Sequence, residues 1–153
     1  LANDFGNLAS RTLAMVGRWR GGKVAAIALD PAVGDDLAPL ADEVAALLDR
    51  VEPTQALEAI WARIRRLNRY VEETAPWTLA KDESQAERLD QVLATLVEGI
   101  RVVTIALHSF MPVSTAKLLE ALGVEDSSWS AASWQANSPG GEVAAIEPLF
   151  PKP

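Results

Sequence analysis

Residues 84–111 read SQAERLDQVLATLVEGIRVVTIALHSFM, and this stretch decides the fold. Its apolar residues recur every three to four positions, which is the spacing of one face of an α-helix. Val102 and Ile105 extend the apolar surface around the back, as is typical of a helix that neighbours surround. Pro112 breaks the pattern. We therefore expect a long central helix from about Ser84 to Met111.

Shorter helical patterns flank this segment on both sides. The first runs from Leu1 to the glycines Gly17 and Gly21–Gly22, and a loop over residues 20–35 follows. The other predicted helices are a second over about Asp36–Val51 with Asp35 or Asp36 as its cap, a third from Pro53 that stops by Ala75, and a fifth over about Val113–Leu122 with Ser114 as a candidate cap and Gly123 at its end. About five helices with mostly short connections predict an all-α fold, an antiparallel helix bundle over residues 1–123.

The remaining residues, 124–153, differ in composition. They are rich in Ser, Gly and Pro, and they contain Trp129 and Trp134. We expect an irregular C-terminal tail that packs on the bundle, because a tryptophan side chain gains much from burial.

The composition excludes several classes of protein. The 153 residues include no cysteine and a single histidine, His108, which excludes disulfides and thiolate zinc sites. No glycine-rich phosphate loop follows a strand pattern, and no set of side chains has the spacing of a catalytic site. We therefore expect no catalytic residue, metal site or cofactor in this chain. No apolar run reaches the roughly 18 residues of a membrane span, and no signal-peptide pattern is present. We therefore expect a cytoplasmic protein with no membrane partner.

Charge is unevenly distributed along the chain. The net charge is −7, yet residues 1–23 carry +3 and residues 61–70 carry +4, whereas residues 82–98 are acidic. The overall charge argues against a protein that coats nucleic acid. The distribution is compatible with a small basic surface on an acidic body, although ordinary solvated helix faces would give the same pattern.

A few side chains are candidates for binding. Asn7 and Arg11 lie four residues apart on one face of the first predicted helix, and Asn and Arg pair bidentately with base edges. Trp77 follows the helix-ending Pro76 and is presented on a bend, where it could stack on a base or plug the end of the bundle. Asn68 falls inside the apolar stripe of the third helix, and we expect it to be a structural amide that holds the following turn.

Three segments carry a resemblance to a known family. NRYVEETAPWTLAKD at residues 68–82, NDFGNLASR at residues 3–11 and PLFP at residues 148–151 resemble the anticodon-binding domain of methionyl-tRNA synthetases. The segments occur in the family's order and together span nearly the whole chain. The related class I synthetases for Ile, Val, Leu and Cys share the bundle but match the first two motifs less well.

The resemblance implies roles for individual residues. Trp77 would stack on the first base of the anticodon CAU, and Asn7 and Arg11 would read the anticodon base edges. Pro76 would shape the turn. The two other residues at family positions near the anticodon pocket are Asn3 and Asn68. The implied partner is the anticodon loop of tRNA(Met), whose splayed bases can be read by stacking and by hydrogen bonds.

The resemblance also implies a larger enzyme. Full-length family members use ATP and Mg²⁺ in a catalytic Rossmann domain to charge tRNA with methionine, and the ATP-binding signatures of that domain are missing from this sequence. We therefore expect this chain to be a C-terminal fragment or a separate chain of a monomeric ligase whose Rossmann domain is a further partner. Two alternatives stay open: the bundle of another class I synthetase, and a helical protein-interaction module without an RNA role.

Overall fold

The computed structural model describes residues 2–146, apart from the side chain of Ala2. The expected helix start at Leu1 and the PLFP segment at residues 148–151 lie outside the described residues. The α-helices of the described part are α1 (Ala2–Arg20), α2 (Pro31–Leu37), α3 (Leu40–Asp49), α4 (Pro53–Thr74), α5 (Pro76–Leu79), α6 (Ala86–Leu107) and α7 (Pro112–Ala121). Two short strands, β1 (Lys23–Val24) and β2 (Gly141–Glu142), and two 3-10 turns, Glu83–Gln85 and Trp129–Ala132, complete it. The all-α bundle is confirmed.

The helix α6 is the centre of the bundle, as its sequence predicts. It contacts each of the other six helices. Leu96, Ile100 and Val103 are completely buried, and buried residues occur on every side of the helix. The helix begins at Ala86, after the first 3-10 turn, and ends at Leu107, four residues before the predicted end. A helix enclosed in this way fixes the positions of α1 and α4, which carry the candidate binding residues.

The region from residue 20 to residue 51 differs from the prediction. A loop over residues 20–35 and one helix over Asp36–Val51 are wrong: two helices, α2 and α3, occupy this region. The cap is neither Asp35 nor Asp36 but Asp30, whose side chain accepts a hydrogen bond from the Ala32 N–H at 3.0 Å. Pro39 has no N–H to donate, so the helical ladder is interrupted there and α3 begins at Leu40.

Two smaller expectations about helix ends are also wrong. α1 continues through Gly17 to Arg20 and ends only at Gly21 and Gly22, which adopt φ values of 62° and 85°. Ser114 does not cap α7, because the cap position is Met111 and no side chain bonds to the helix start there. Gly123, with φ 73°, follows the end of α7 as expected.

The segment after α7 lies on the bundle and is tied to it by polar contacts. β2 pairs antiparallel with β1, with Lys23 opposite Glu142 and Val24 opposite Gly141. On α6, the Arg101 guanidinium donates to the carbonyls of Ala131 and Ser133 in the segment. None of the helices between residues 2 and 146 has the length and hydropathy that a membrane span requires.

Candidate nucleic-acid interface

The end of α4 presents Trp77 on a strained bend. Pro76 disfavours the helical conformation for the residue before it, and Ala75 adopts the left-handed region at φ 45° and ψ 65°. This conformation costs an L-residue about 1–2 kcal/mol. Pro76 is buried and begins the four-residue helix α5, whereas the Trp77 side chain is 36% exposed. The buried proline fixes the direction in which the exposed indole ring points.

Arg11 packs directly on this ring. Its guanidinium carbon lies 5.2 Å from the centroid of the Trp77 ring, within the range of a cation–π contact. Its Nη1 donates to Glu72 Oε1 at 3.2 Å. Residues that are 66 positions apart in the sequence therefore form one exposed cluster of Arg11, Glu72 and Trp77, which we call the Arg–Trp cluster. The structure brings together the two strongest candidates from the sequence.

Glu72 is the member of this cluster that sequence reasoning missed. In the sequence Glu72 stands next to Glu73, and such a pair of carboxylates on an exposed helix face is ordinarily solvated. Its side chain is indeed 64% exposed, but it is also the partner of the one arginine that contacts Trp77. A signal was present in the sequence, because Glu72 lies four residues after Asn68 and therefore on the same face of α4.

The other candidates on α1 lie on the same exposed face as Arg11. Asn7 is one helical turn before Arg11 and Asn3 one turn before Asn7, and both side chains are exposed. Between residues 2 and 146, neither side chain makes a hydrogen bond, so their amide donors and acceptors point to solvent. Asn3, Asn7 and Arg11 thus form a row of polar groups that ends beside Trp77.

Asn68 has a different role from the expected one. It is half-buried, and its Nδ2 donates to the carbonyls of Asp4 on α1 and Ile64 on α4, both at 3.3 Å. The expectation that it holds the turn after α4 is wrong. It ties α4 to the first turn of α1, and this contact places the row on α1 next to the end of α4.

The buried hydroxyl of Tyr70 helps to fix the end of α4 that precedes the bend at Ala75. Tyr70 is 3% exposed, and its hydroxyl donates to Asp30 Oδ2 at 2.9 Å, where Arg88 Nη1 also donates at 3.0 Å. Burial raises the pKa of the Tyr70 hydroxyl well above its usual value, and the bond to the Asp30 carboxylate adds to this rise. Burial also acts to raise the pKa of the Asp30 carboxyl, but its three hydrogen bonds outweigh burial and lower the pKa. Tyr70 lies five residues before Ala75 and so anchors the last turns of α4 to α2 and α6.

The chemistry of this surface suits contact with a nucleic-acid base. It offers an aromatic ring, a guanidinium and amide groups, which are the groups that stack on bases and hydrogen-bond to their edges. Residues 2–146 contain no cluster of three His, Asp or Glu side chains that could hold a metal ion. The geometry supports recognition of an unstacked nucleotide.

Comparison with known proteins identifies the domain. Residues 23–152 match the family model described as the anticodon binding domain of methionyl tRNA ligase. The chain belongs to this family. Anticodon-binding domains of this kind are the C-terminal parts of class I aminoacyl-tRNA synthetases specific for methionine, and this membership decides against the bundle of another class I synthetase.

Individual methionine–tRNA ligases resemble the chain over its whole length. The enzyme of Deinococcus radiodurans is 40% identical over 159 residues, which cover 100% of this chain and 23% of that protein. The enzyme of Clostridium tetani is 38% identical over 158 residues, covering 99% of this chain and 24% of that protein. The crystal structure of free Mycobacterium tuberculosis methionyl-tRNA synthetase superposes with a TM-score of 0.88 at 29% identity, over 99% of this chain and 32% of that one. The chain therefore spans about a quarter of the length of these curated relatives.

Proposed function

We propose that this anticodon-binding domain recognises the CAU anticodon loop of tRNA(Met). The observation that carries the proposal is the Arg–Trp cluster, in which an exposed tryptophan and an arginine from distant segments meet. Beside it lie Asn3 and Asn7, whose side chains make no hydrogen bond within residues 2–146. RNA sequence is read chiefly on splayed loop bases, by stacking and by hydrogen bonds to base edges. The surface supplies both kinds of contact within one or two helical turns.

Each residue of the surface takes a part in this proposal. Trp77 stacks on the first anticodon base, and Pro76 holds the ring in place from beneath. Arg11 and Asn7 bond to base edges, for which their forked donors and acceptors are suited. Two further residues lie at the edge of the proposed binding surface. These are Asn3 at the exposed start of α1 and Asn68 where α4 contacts α1.

The domain works within a larger enzyme in this proposal. Residues 1–123 supply the recognition bundle and residues 124–153 the tail, whose described part, up to residue 146, packs on the bundle. A catalytic Rossmann domain of the same monomeric enzyme uses ATP and Mg²⁺ to form methionyl-adenylate and transfers the methionine to tRNA(Met) in the cytoplasm. The present chain contributes the choice of tRNA, and the reaction itself takes place elsewhere in the ligase.

The Trp77→Ala variant tests the proposal directly. Loss of a base–aromatic stack costs about 1–3 kcal/mol, so binding of a CAU stem-loop should weaken roughly 5- to 150-fold. Binding is measured by titrating labelled RNA stem-loops with the protein, once with CAU and once with the first anticodon base changed. The affinity for the two loops should become more nearly equal in the variant.

The control for this variant is Leu57→Ala. Leu57 is also 36% exposed, and it lies near the start of α4, away from the bend. It should leave RNA binding unchanged. A Trp77→Ala protein that melts at a lower temperature but binds both RNAs as before would contradict the proposal and support a protein-interaction module.

A further inference from the structure

Arg18 stands apart from every other arginine of the chain. The sequence contains ten arginines, and nine of them lie within 4.0 Å of an Asp or Glu oxygen in residues 2–146. Arg18 has no such partner in that part of the chain, and its side chain is exposed. In a chain with 21 acidic and 14 basic residues, an arginine that faces solvent and pairs with no carboxylate of residues 2–146 is a candidate to bind an external anion.

Its neighbour on the same helix shows the contrast. Arg20, two positions later, donates to Asp90 Oδ1 at 2.6 Å and to the Trp19 carbonyl, so it attaches α1 to α6. Arg18 points away from that contact because two residues turn a helix by about 200°. The bundle therefore uses Arg20 internally and leaves Arg18 for a partner.

Arg18 lies on the same face of α1 as Asn7 and Arg11. Seven residues separate Arg11 from Arg18, which is about two turns and about 10 Å along the helix. Ala14 lies between them on this face and Gly17 at its edge, and both are exposed. A Cβ on Gly17 would meet no atom within 4 Å, so packing inside the domain does not require the glycine. The residues that α1 itself places between Arg11 and Arg18 on this exposed side are therefore small.

We propose that Arg18 binds the phosphodiester backbone of the tRNA whose anticodon lies at the Arg–Trp cluster. The inference rests on the proposed function and extends it from the anticodon bases to the backbone beside them. Phosphate contacts supply affinity that does not depend on sequence, whereas base contacts supply discrimination. Arg11 has to exchange Glu72 for the RNA, but Arg18 has no ion pair within residues 2–146 to give up. The exposed face of α1 thus divides the work between a reading end at Arg11 and an anchoring end at Arg18.

The Arg18→Gln variant, with Lys117→Gln as its control, tests this division. Lys117 on α7 is likewise exposed and makes no ion pair within residues 2–146, and α7 packs mainly on α6, so the control removes one equal charge at a distance. Stem-loops with CAU and with a changed first anticodon base are titrated at several salt concentrations. Arg18→Gln should weaken the binding of both RNAs by about three- to ten-fold and lower the slope of log affinity against log salt by about one. The ratio of the two affinities should stay the same.

The outcomes separate this inference from the proposed function. If Arg18→Gln binds RNA like Lys117→Gln while Trp77→Ala loses binding, the backbone contact is overturned and the anticodon proposal stands; the face then belongs to a protein neighbour. A loss confined to the CAU loop also overturns it, because that result would make Arg18 a base reader. If the unaltered protein binds neither stem-loop at low salt, the proposed function fails and the inference fails with it. Thermal unfolding should be unchanged in both variants, because neither side chain makes a polar contact within the described part.

Discussion

At the scale of single residues, the position of Glu72 sets up a competition for Arg11. Glu72 Oε1 lies 3.2 Å from Arg11 Nη1 and so helps to hold the guanidinium beside Trp77. The pair is exposed, and exposed ion pairs contribute only about 0–1 kcal/mol to the stability of a fold. In the proposed function an RNA base edge displaces this carboxylate from Arg11, and the carboxylate repels any phosphate that comes close. RNAs that cannot replace the lost ion pair with equally good hydrogen bonds are therefore disfavoured.

This competition predicts the behaviour of Glu72→Gln. The variant should bind stem-loops a few times more tightly, and the gain should be larger for a changed anticodon than for CAU, so discrimination falls. Equilibrium titrations with the two RNAs measure both effects. The control is Glu73→Gln, which removes the same charge one residue away. Glu73 pairs with Arg66 and not with Arg11. Equal gains in the two variants would show that only the overall charge matters and that Glu72 has no special part.

At the scale of the helices, two glycines distinguish an internal contact from an open surface. A Cβ on Gly99 of α6 would clash with Leu67 Cδ2 on α4, and Leu67 is completely buried. Gly99→Ala should therefore destabilise the domain by about 1–3 kcal/mol despite its better helix propensity. Gly17→Ala meets nothing and should stabilise it by up to about 1 kcal/mol. Denaturant unfolding of the two variants checks both signs, and a stabilising Gly99→Ala would mean that α4 and α6 can move apart.

The helices also show what a sequence can and cannot predict. The bounds of α4 follow from Pro53 and Pro76, because each proline acts on its own backbone and on the residue beside it. The signal for α2 is equally local, an Asp30-Pro31 cap, but Asp35 and Asp36 offer the same cap a few residues later, so the sequence alone does not show which aspartate begins the helix. The contact of Arg11 with Trp77 has no local signal. It depends on how α1 packs against α4, which Asn68 and the fully buried Phe5 help to set only once the bundle has formed.

At the scale of the whole molecule, the two sides of α4 separate the charges. Arg63 and Arg66 face α2 and α3, where they pair with Glu43 and Asp36, whereas Asn68 and Glu72 face α1. The acids of α2 and α3 thus lie across α4 from the candidate interface, and these are Asp35, Asp36, Asp42, Glu43 and Asp49. A net charge of −7 is compatible with the proposed binding of one RNA loop at one place, because these five acids lie away from the Arg–Trp cluster.

Because the proposed anticodon site and the proposed catalytic domain lie in different parts of the complete ligase, tRNA recognition and adenylate formation should respond differently to a change at Trp77. In the proposed function the Arg–Trp cluster binds the anticodon loop and a separate domain carries out the reaction with ATP, so a change in the cluster should affect only the steps in which tRNA takes part. In the full-length enzyme, Trp77→Ala should lower kcat/KM for aminoacylation roughly 5- to 150-fold, in line with the lost stack. Trp77→Ala should form methionyl-adenylate at an unchanged rate in the absence of tRNA, as measured by ATP–pyrophosphate exchange. The control Leu57→Ala should keep both rates. If the exchange rate of Trp77→Ala falls as far as its aminoacylation rate, the tryptophan supports the fold of the enzyme and does not read the anticodon.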